Sequence, residues 1–175
     1  MIRALDLAAE MSDWGTPLPL GTARAIALEE KGVEAKGTAT ISAMVHTVSI
    51  SKEGQVRLER VDVALDQGFS LINPLSVKKQ IEGQIIWFYN DAMHQANTVV
   101  EGRIVENNFD QFSISRIKED PPEINIQFFK TEHWMRGMGH DRATSVQSGI
   151  SDAIFQITGK RFRDLPFSQH DLSWG

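Results

Sequence analysis

Five consecutive residues near the C-terminal end, Gly137-Met138-Gly139-His140-Asp141, combine the types from which a ligand-binding turn is made. Glycines on both sides of one residue allow backbone conformations closed to other side chains, and let a ligand approach the amides. His140 and Asp141 add two titratable groups, an imidazole that protonates near about pH 6.5 and a carboxylate near about pH 4. The turn leads into a predicted helix, whose first N–H groups lack intrahelical acceptors and favour an anion. Gly-x-Gly before a helix is also an ordinary connector, and the residues alone leave both readings open.

Gln80 and Gln84 lie one helical turn apart on the flank of an apolar stripe. Each amide offers donors and an acceptor, so the pair could hold the edge of a heterocycle; equally, it could bond backbone or face water. The five histidines, His46, His94, His133, His140 and His170, form neither HxH nor HExxH, so no metal ligands are assigned. His46, within a strand, and His94, near a helix end, read as structural. No G-x-S-x-G nucleophile turn occurs. The absence of cysteine excludes disulfides, thiolate zinc and iron–sulfur ligation within this sequence, so any electron traffic needs another chain or a non-thiolate cofactor.

The elements that must position these groups follow from periodicity. Residues 2–12 form a helix with Ala4, Leu7, Ala8 and Met11 on one stripe, closed by Gly15, Pro17 and Pro19. ARAIALEE, a break at Gly32, and TATISAMVHTVSI read as strands, the second apolar on both parities and therefore covered on both faces. Lys52-Glu53-Gly54-Gln55 turns the chain into VRLERVDVAL, whose parity switches between Leu58 and Val61, as a bulge near Glu59-Arg60 would produce. Asn73 and Pro74 open a helix to about residue 94 along Val77, Ile81, Ile85, Phe88 and Ala92. Gly83 in its interior suggests a close approach to the backbone. Strands are expected at 98–105 and 123–130, and a last helix over 145–158 ends at Gly159.

The result is an α+β fold: a mixed or antiparallel sheet packed against two longer helices, one domain over residues 1–175 with 168–175 as a polar tail. The 175-residue chain is 41% hydrophobic and 23% charged, a globular composition. A net charge of −5 with scattered Lys and Arg argues against a nucleic-acid surface. No apolar run nears the roughly 18 residues of a membrane span. The N-terminus lacks the features of a signal peptide, which leaves cytoplasm and periplasm both open.

Four segments in order carry a resemblance. LDLAAEMSDWGTPLPLGTARAIAL presents Trp-Gly, Pro-x-Pro and Gly-x-Ala-Arg-Ala; VDVALDQGFSLINPLSVKKQIEGQI presents Asp-x-Gly, Asn-Pro and Gln-x-Glu-Gly. NNFDQFSISRIKEDPPEI and GMGH…SGISDAIFQITGKRFRDLPF complete the series. Over about 150 residues, the chain resembles the C-terminal, molybdopterin-binding part of the large subunit of the xanthine dehydrogenase family. The nearest branch is that of isoquinoline 1-oxidoreductase β-subunits and bacterial aldehyde dehydrogenases.

The resemblance implies a molybdenum cofactor-binding domain of an oxidoreductase that hydroxylates aldehydes or N-heterocycles. It matches Gln80 to a glutamine that contacts the pterin, Gly83 to a close-packed glycine, and Gly137 and Gly139 to the loop bordering the metal. His140 departs from the family, standing where a glutamate acts as general base; Asp141, one residue on, is the substitute if the loop shifts register. Gln84 departs as well, where Gly or Ala is usual. The family further implies molybdopterin in its cytosine dinucleotide form, a complementary pterin-binding lobe and an iron–sulfur subunit. No cofactor is expected on the chain by itself.

Two readings follow: a cofactor-binding lobe that is not competent alone, or a non-catalytic descendant serving as a binding or assembly module. A lobe exposes apolar surface, for which Trp87, Phe88, Phe109, Phe112 and Trp134 are candidates, and should bind its complement or self-associate.

Overall fold

The computed structural model describes residues 1–33, 38–116, 122–135, 137–139 and 143–175. A three-stranded antiparallel meander, β1 (Thr22–Val33), β2 (Thr38–Ile50) and β3 (Val56–Asp66), forms its centre. Thr47 pairs with Arg60 and Val48 with Leu58, so Glu59 is the extra residue of a bulge. That bulge explains the parity switch: it keeps Leu58 and Val61 on the same face although an odd number of positions separates them. β6 (Glu123–Phe129) adds to β3 in parallel, giving the order β1-β2-β3-β6, and β7 (Trp134–Met135) pairs in parallel with Thr38 and Ala39 of β2.

Because side chains alternate across a strand, β2 feeds two cores. Met44 and Val48 join Val61, Val63 and Leu65 beneath α2 (Pro74–Met93) and α3 (Ser145–Thr158). Ile41, Ala43 and Val45 join Ala64 and Phe129 beneath α1 (Ile2–Met11), which approaches through the small residues Ala4 and Ala8. Ile81 and Ile85 of α2 and Ile150 and Ile154 of α3 are wholly buried. Each such side chain contributes roughly 1.5–3 kcal/mol of hydrophobic burial. Asn73 caps α2, its side chain accepting from the Ser76 N–H at 3.1 Å, and Gly159 closes α3 in the left-handed conformation.

Several expectations are corrected. The strand expected at 98–105 is a hairpin apart from the main sheet, β4 (Val99–Val100) and β5 (Arg103–Ile104), because Glu101 and Gly102 both take positive φ and reverse the chain. β1 does not break at Gly32, which still pairs with Ala39. Phe88 is only 8% exposed and belongs to the core stripe of α2, not to the surface. The polar tail is anchored: Leu172 is buried, Trp174 Nε1 donates to the Ile50 carbonyl at 3.0 Å, and Lys160 Nζ bonds the Asp171 carboxylate and the Ser173 carbonyl.

Candidate functional site

The first turn of α2 and the glycine loop meet although they lie far apart in sequence. Gln84 Nε2 donates to the Met138 carbonyl at 3.4 Å, tying the middle of α2 to the loop. Toward the start of the helix the two segments enclose a groove of about 350 Å³. Its walls are Leu71, Ile72, Val77 and Trp134, with Gly137 and Met138 along one side. Trp134 packs edge-on against Phe69, ring centroids 4.1 Å apart. Behind it lies a buried polar post: Asp66 Oδ1 accepts from the Gly68 N–H and from Thr131 Oγ1, each at 2.7 Å, and Oδ2 is 3.3 Å from His133 Nε2. The post fixes the chain's exit from β3 and the approach to β7.

The structure brings Gln80, Gln84, Gly137 and Gly139 to one side of the molecule, Gln80 being one turn from Gln84 on the same helical face. Gln80 is exposed, and among the described residues its amide has no hydrogen-bond partner. Gly83 is not close-packed: a Cβ there would meet nothing within 4 Å, as at Gly137 and Gly139. At all three the Cα faces space that no described residue of this chain fills. His140 and Asp141 lie outside the described residues. Among the residues described in the groove none carries an ionisable side chain, so this lining offers hydroxyls, an amide and backbone groups but no acid or base.

The anion site expected at the start of α3 is already occupied from within. Glu29 Oε1 on β1 accepts from Thr144 Oγ1 at 2.5 Å and from the Ser145 N–H. A helix N-terminus that draws an anion thus takes a carboxylate from the sheet. Glu29 and the Asp66–His133 pair are not found from sequence, and Trp134 is found only as an exposed apolar residue, not as a wall of the groove. Glu29 carried no signal, since a charged residue on an edge strand looks solvent-facing, whereas Asp66-x-Gly68 was a legible turn whose buried partners were not.

His46 is structural, as expected. It is wholly buried on β2 against α3, and an added Cβ at Gly149 would lie 2.2 Å from its Nδ1. Neither ring nitrogen has a well-formed hydrogen bond. Burial pushes its pKa down to about 4, opposed only weakly by the Ala25 backbone, so the ring is neutral at pH 7.

No protein-family model matches the chain. Its fold is that of a domain found in molybdenum hydroxylases: it superposes on quinoline 2-oxidoreductase from Pseudomonas putida 86 with TM-score 0.65 and 19% identity, over 74% of this chain and 17% of that one. A copper- and molybdenum-containing CO dehydrogenase gives TM-score 0.59 and 20% identity over 67% of this chain and 15% of that one. The sequence relatives narrow the class. The chain is 30% identical over 168 residues, 95% of its length, to the membrane-bound pyrroloquinoline-quinone aldehyde dehydrogenase of Gluconacetobacter polyoxogenes. It is 28% identical over 159 residues to the isoquinoline 1-oxidoreductase β-subunit of Brevundimonas diminuta. The chain is a homologue of one part of these subunits and spans about a fifth of their length (21% and 20%).

Proposed function

We propose that this chain forms one side of the molybdopterin site in a molybdenum hydroxylase acting on aldehydes or N-heterocycles, and that it is not competent alone. The observation that carries the reading is the Gln84–Met138 bond, which draws the expected pterin-contacting helix and the expected metal-bordering loop to one groove. The residues fit such a group: Gln80 has an amide with no partner among the described residues, and a Cβ added at Gly83, Gly137 or Gly139 would meet only empty space. Gln80 would hold the pterin edge, and the two loop glycines would let it reach the backbone. Bound there, the cofactor, in its cytosine dinucleotide form, supplies the two-electron oxidation that the chain's own residues cannot. His140, in the place where the family has glutamate, is the proton acceptor of this reading. General-base work depends on reach before pKa, and Asp141 is the fallback with a shorter arm. A complementary lobe and an iron–sulfur subunit complete the assembly, and self-association is the alternative for the chain by itself.

The test is to co-express the chain with the genes beside its own and to assay the purified complex for molybdenum and pterin. Stoichiometric cofactor, lost in Gln80→Ala and in Gly83→Leu while the complex stays assembled, is the expected result. An extracted quinone instead, the group for which the aldehyde dehydrogenase relative is named, would overturn the molybdopterin assignment.

The Gln84 side chain favours a second reading, that of a non-catalytic binding or assembly module. Its amide spans the gap between helix and loop, the space in which a flat ring would lie. An assembled complex with neither metal nor pterin would establish this reading.

A further inference from the structure

At the far end of β2 from the groove, the connector after α1, the last turns of α3 and the anchored tail surround a pocket of about 530 Å³. The two sites share no residue, since β7 and the glycine loop adjoin Thr38–Ala39 whereas Trp174 adjoins Ile50. The volume lies within the roughly 300–1,000 Å³ of small-molecule sites. Two indoles, Trp14 and Trp174, form walls, and Leu18, Pro19 and Ile157 complete the apolar lining. Trp174 lies directly over Gly21, where an added Cβ would come within 2.7 Å of the ring and where φ is +81°. The wall therefore needs glycine at 21 for both space and backbone.

Arg24 carries the only charge among the residues lining this pocket. Its Nη1 is spent on the Asp13 carbonyl at 3.1 Å, the Thr16 carbonyl at 3.2 Å and Thr16 Oγ1 at 2.9 Å, which hold the connector in place. Its Nε is enclosed, and among the described residues its Nη2 makes no hydrogen bond. Gln156 Nε2 donates to the Arg24 carbonyl at 3.0 Å and to Asp152 Oδ2 at 3.1 Å. Asp152, also 3.7 Å from Arg161, is therefore engaged outside the pocket. A guanidinium fixed by neutral carbonyls, with one nitrogen left beside two indoles, offers a charge-assisted donor to a carboxylate on a flat apolar body.

We infer that this pocket is a binding site for small aromatic carboxylates, separate from the cofactor groove. The inference does not rest on the proposed function. Benzoate and its uncharged amide, benzamide, are the probes, titrated into the full chain at pH 7 and followed by indole fluorescence and ligand-observed NMR. Benzoate binds with a dissociation constant on the order of a millimolar, as befits a fragment of its size, and benzamide at least about tenfold more weakly. Trp174→Leu removes a wall and weakens benzoate at least about tenfold. Because Trp174 also anchors the tail, a second variant, Thr22→Glu, adds a carboxylate at a lining position whose hydroxyl makes no hydrogen bond among the described residues. It repels benzoate by about tenfold or more and leaves benzamide unchanged. Equal affinity for the two probes, indifference of benzoate to Thr22→Glu, or no benzoate binding at about 10 mM, far above that constant, overturns the inference.

Discussion

His46 and Gly149 form a single packing unit, the ring filling the space that any larger residue at 149 would need. Gly149→Ala should destabilise the chain by about 1–3 kcal/mol, the usual cost of overpacking. Combined with His46→Ala, it should cost less than the two single changes added, because the new methyl enters the vacated volume. Urea unfolding of the four proteins of that cycle measures the coupling. The ring also makes stability depend on pH. Its folded pKa, about 4, lies below the 6.5 of a free imidazole, so the unfolded chain takes up the proton first. The stability tied to its neutrality is intact above about pH 6.5, falls as the pH drops toward 4, and is flat below. The total is about 3 kcal/mol. His46→Leu should remove that slope, read as the wild-type minus variant difference across pH 7 to 4. A parallel slope in the variant would assign the acid sensitivity to other groups.

Among the elements, α3 is held at its start by a side chain from another strand. Glu29→Ala should cost about 1 kcal/mol, in the range of a lost helix cap, and raise amide exchange in the first turn of α3. Glu29→Gln, which keeps an acceptor, should cost less. α2 offers the opposite case: Gly83→Ala meets no neighbour, so it should stabilise the free chain by about 0.5–1 kcal/mol through helix propensity. The same methyl should weaken cofactor retention in the assembled complex if the open face is where the pterin lies. The principal elements were legible in the sequence because each repeats its period several times. β2 and β3 show β-branched runs with a parity switch at the bulge, and α2 and α3 show clean apolar stripes with marked ends. β7 is two residues long and has no period to read, and the Glu101-Gly102 reversal was hidden in an apolar run. The candidate site was legible only in part. Gln80 and the glycine loop were singled out separately, but Gln84 reaching Met138 and Glu29 reaching Ser145 are consequences of the sheet's register, which no local pattern encodes.

At the scale of the whole molecule, apolar side chains stand in water at several places. Ile72 is 97% exposed, Phe109 93%, Trp134 63% and Trp87 62%. Where such side chains join into one patch, they mark a surface that meets a partner. Sedimentation velocity over a wide concentration range should show reversible association of the free chain, reduced in the double variant Phe109→Ser, Trp134→Ser with its circular dichroism unchanged. Persistence of a single monomeric boundary at high concentration would mean that this surface is not a self-interface.

The parallel joint between β3 and β6 bears on how the chain acquires its structure. β1, β2 and β3 can zip together through neighbouring turns, but the strand that covers the outer edge of β3 arrives only after α2 and the β4–β5 hairpin have been threaded past. Closing so long a loop is slow, and until it closes the edge of β3 presents unpaired backbone groups to any other strand. Refolding should therefore pass through a meander-only species that precipitates at high protein concentration and is rescued by dilution.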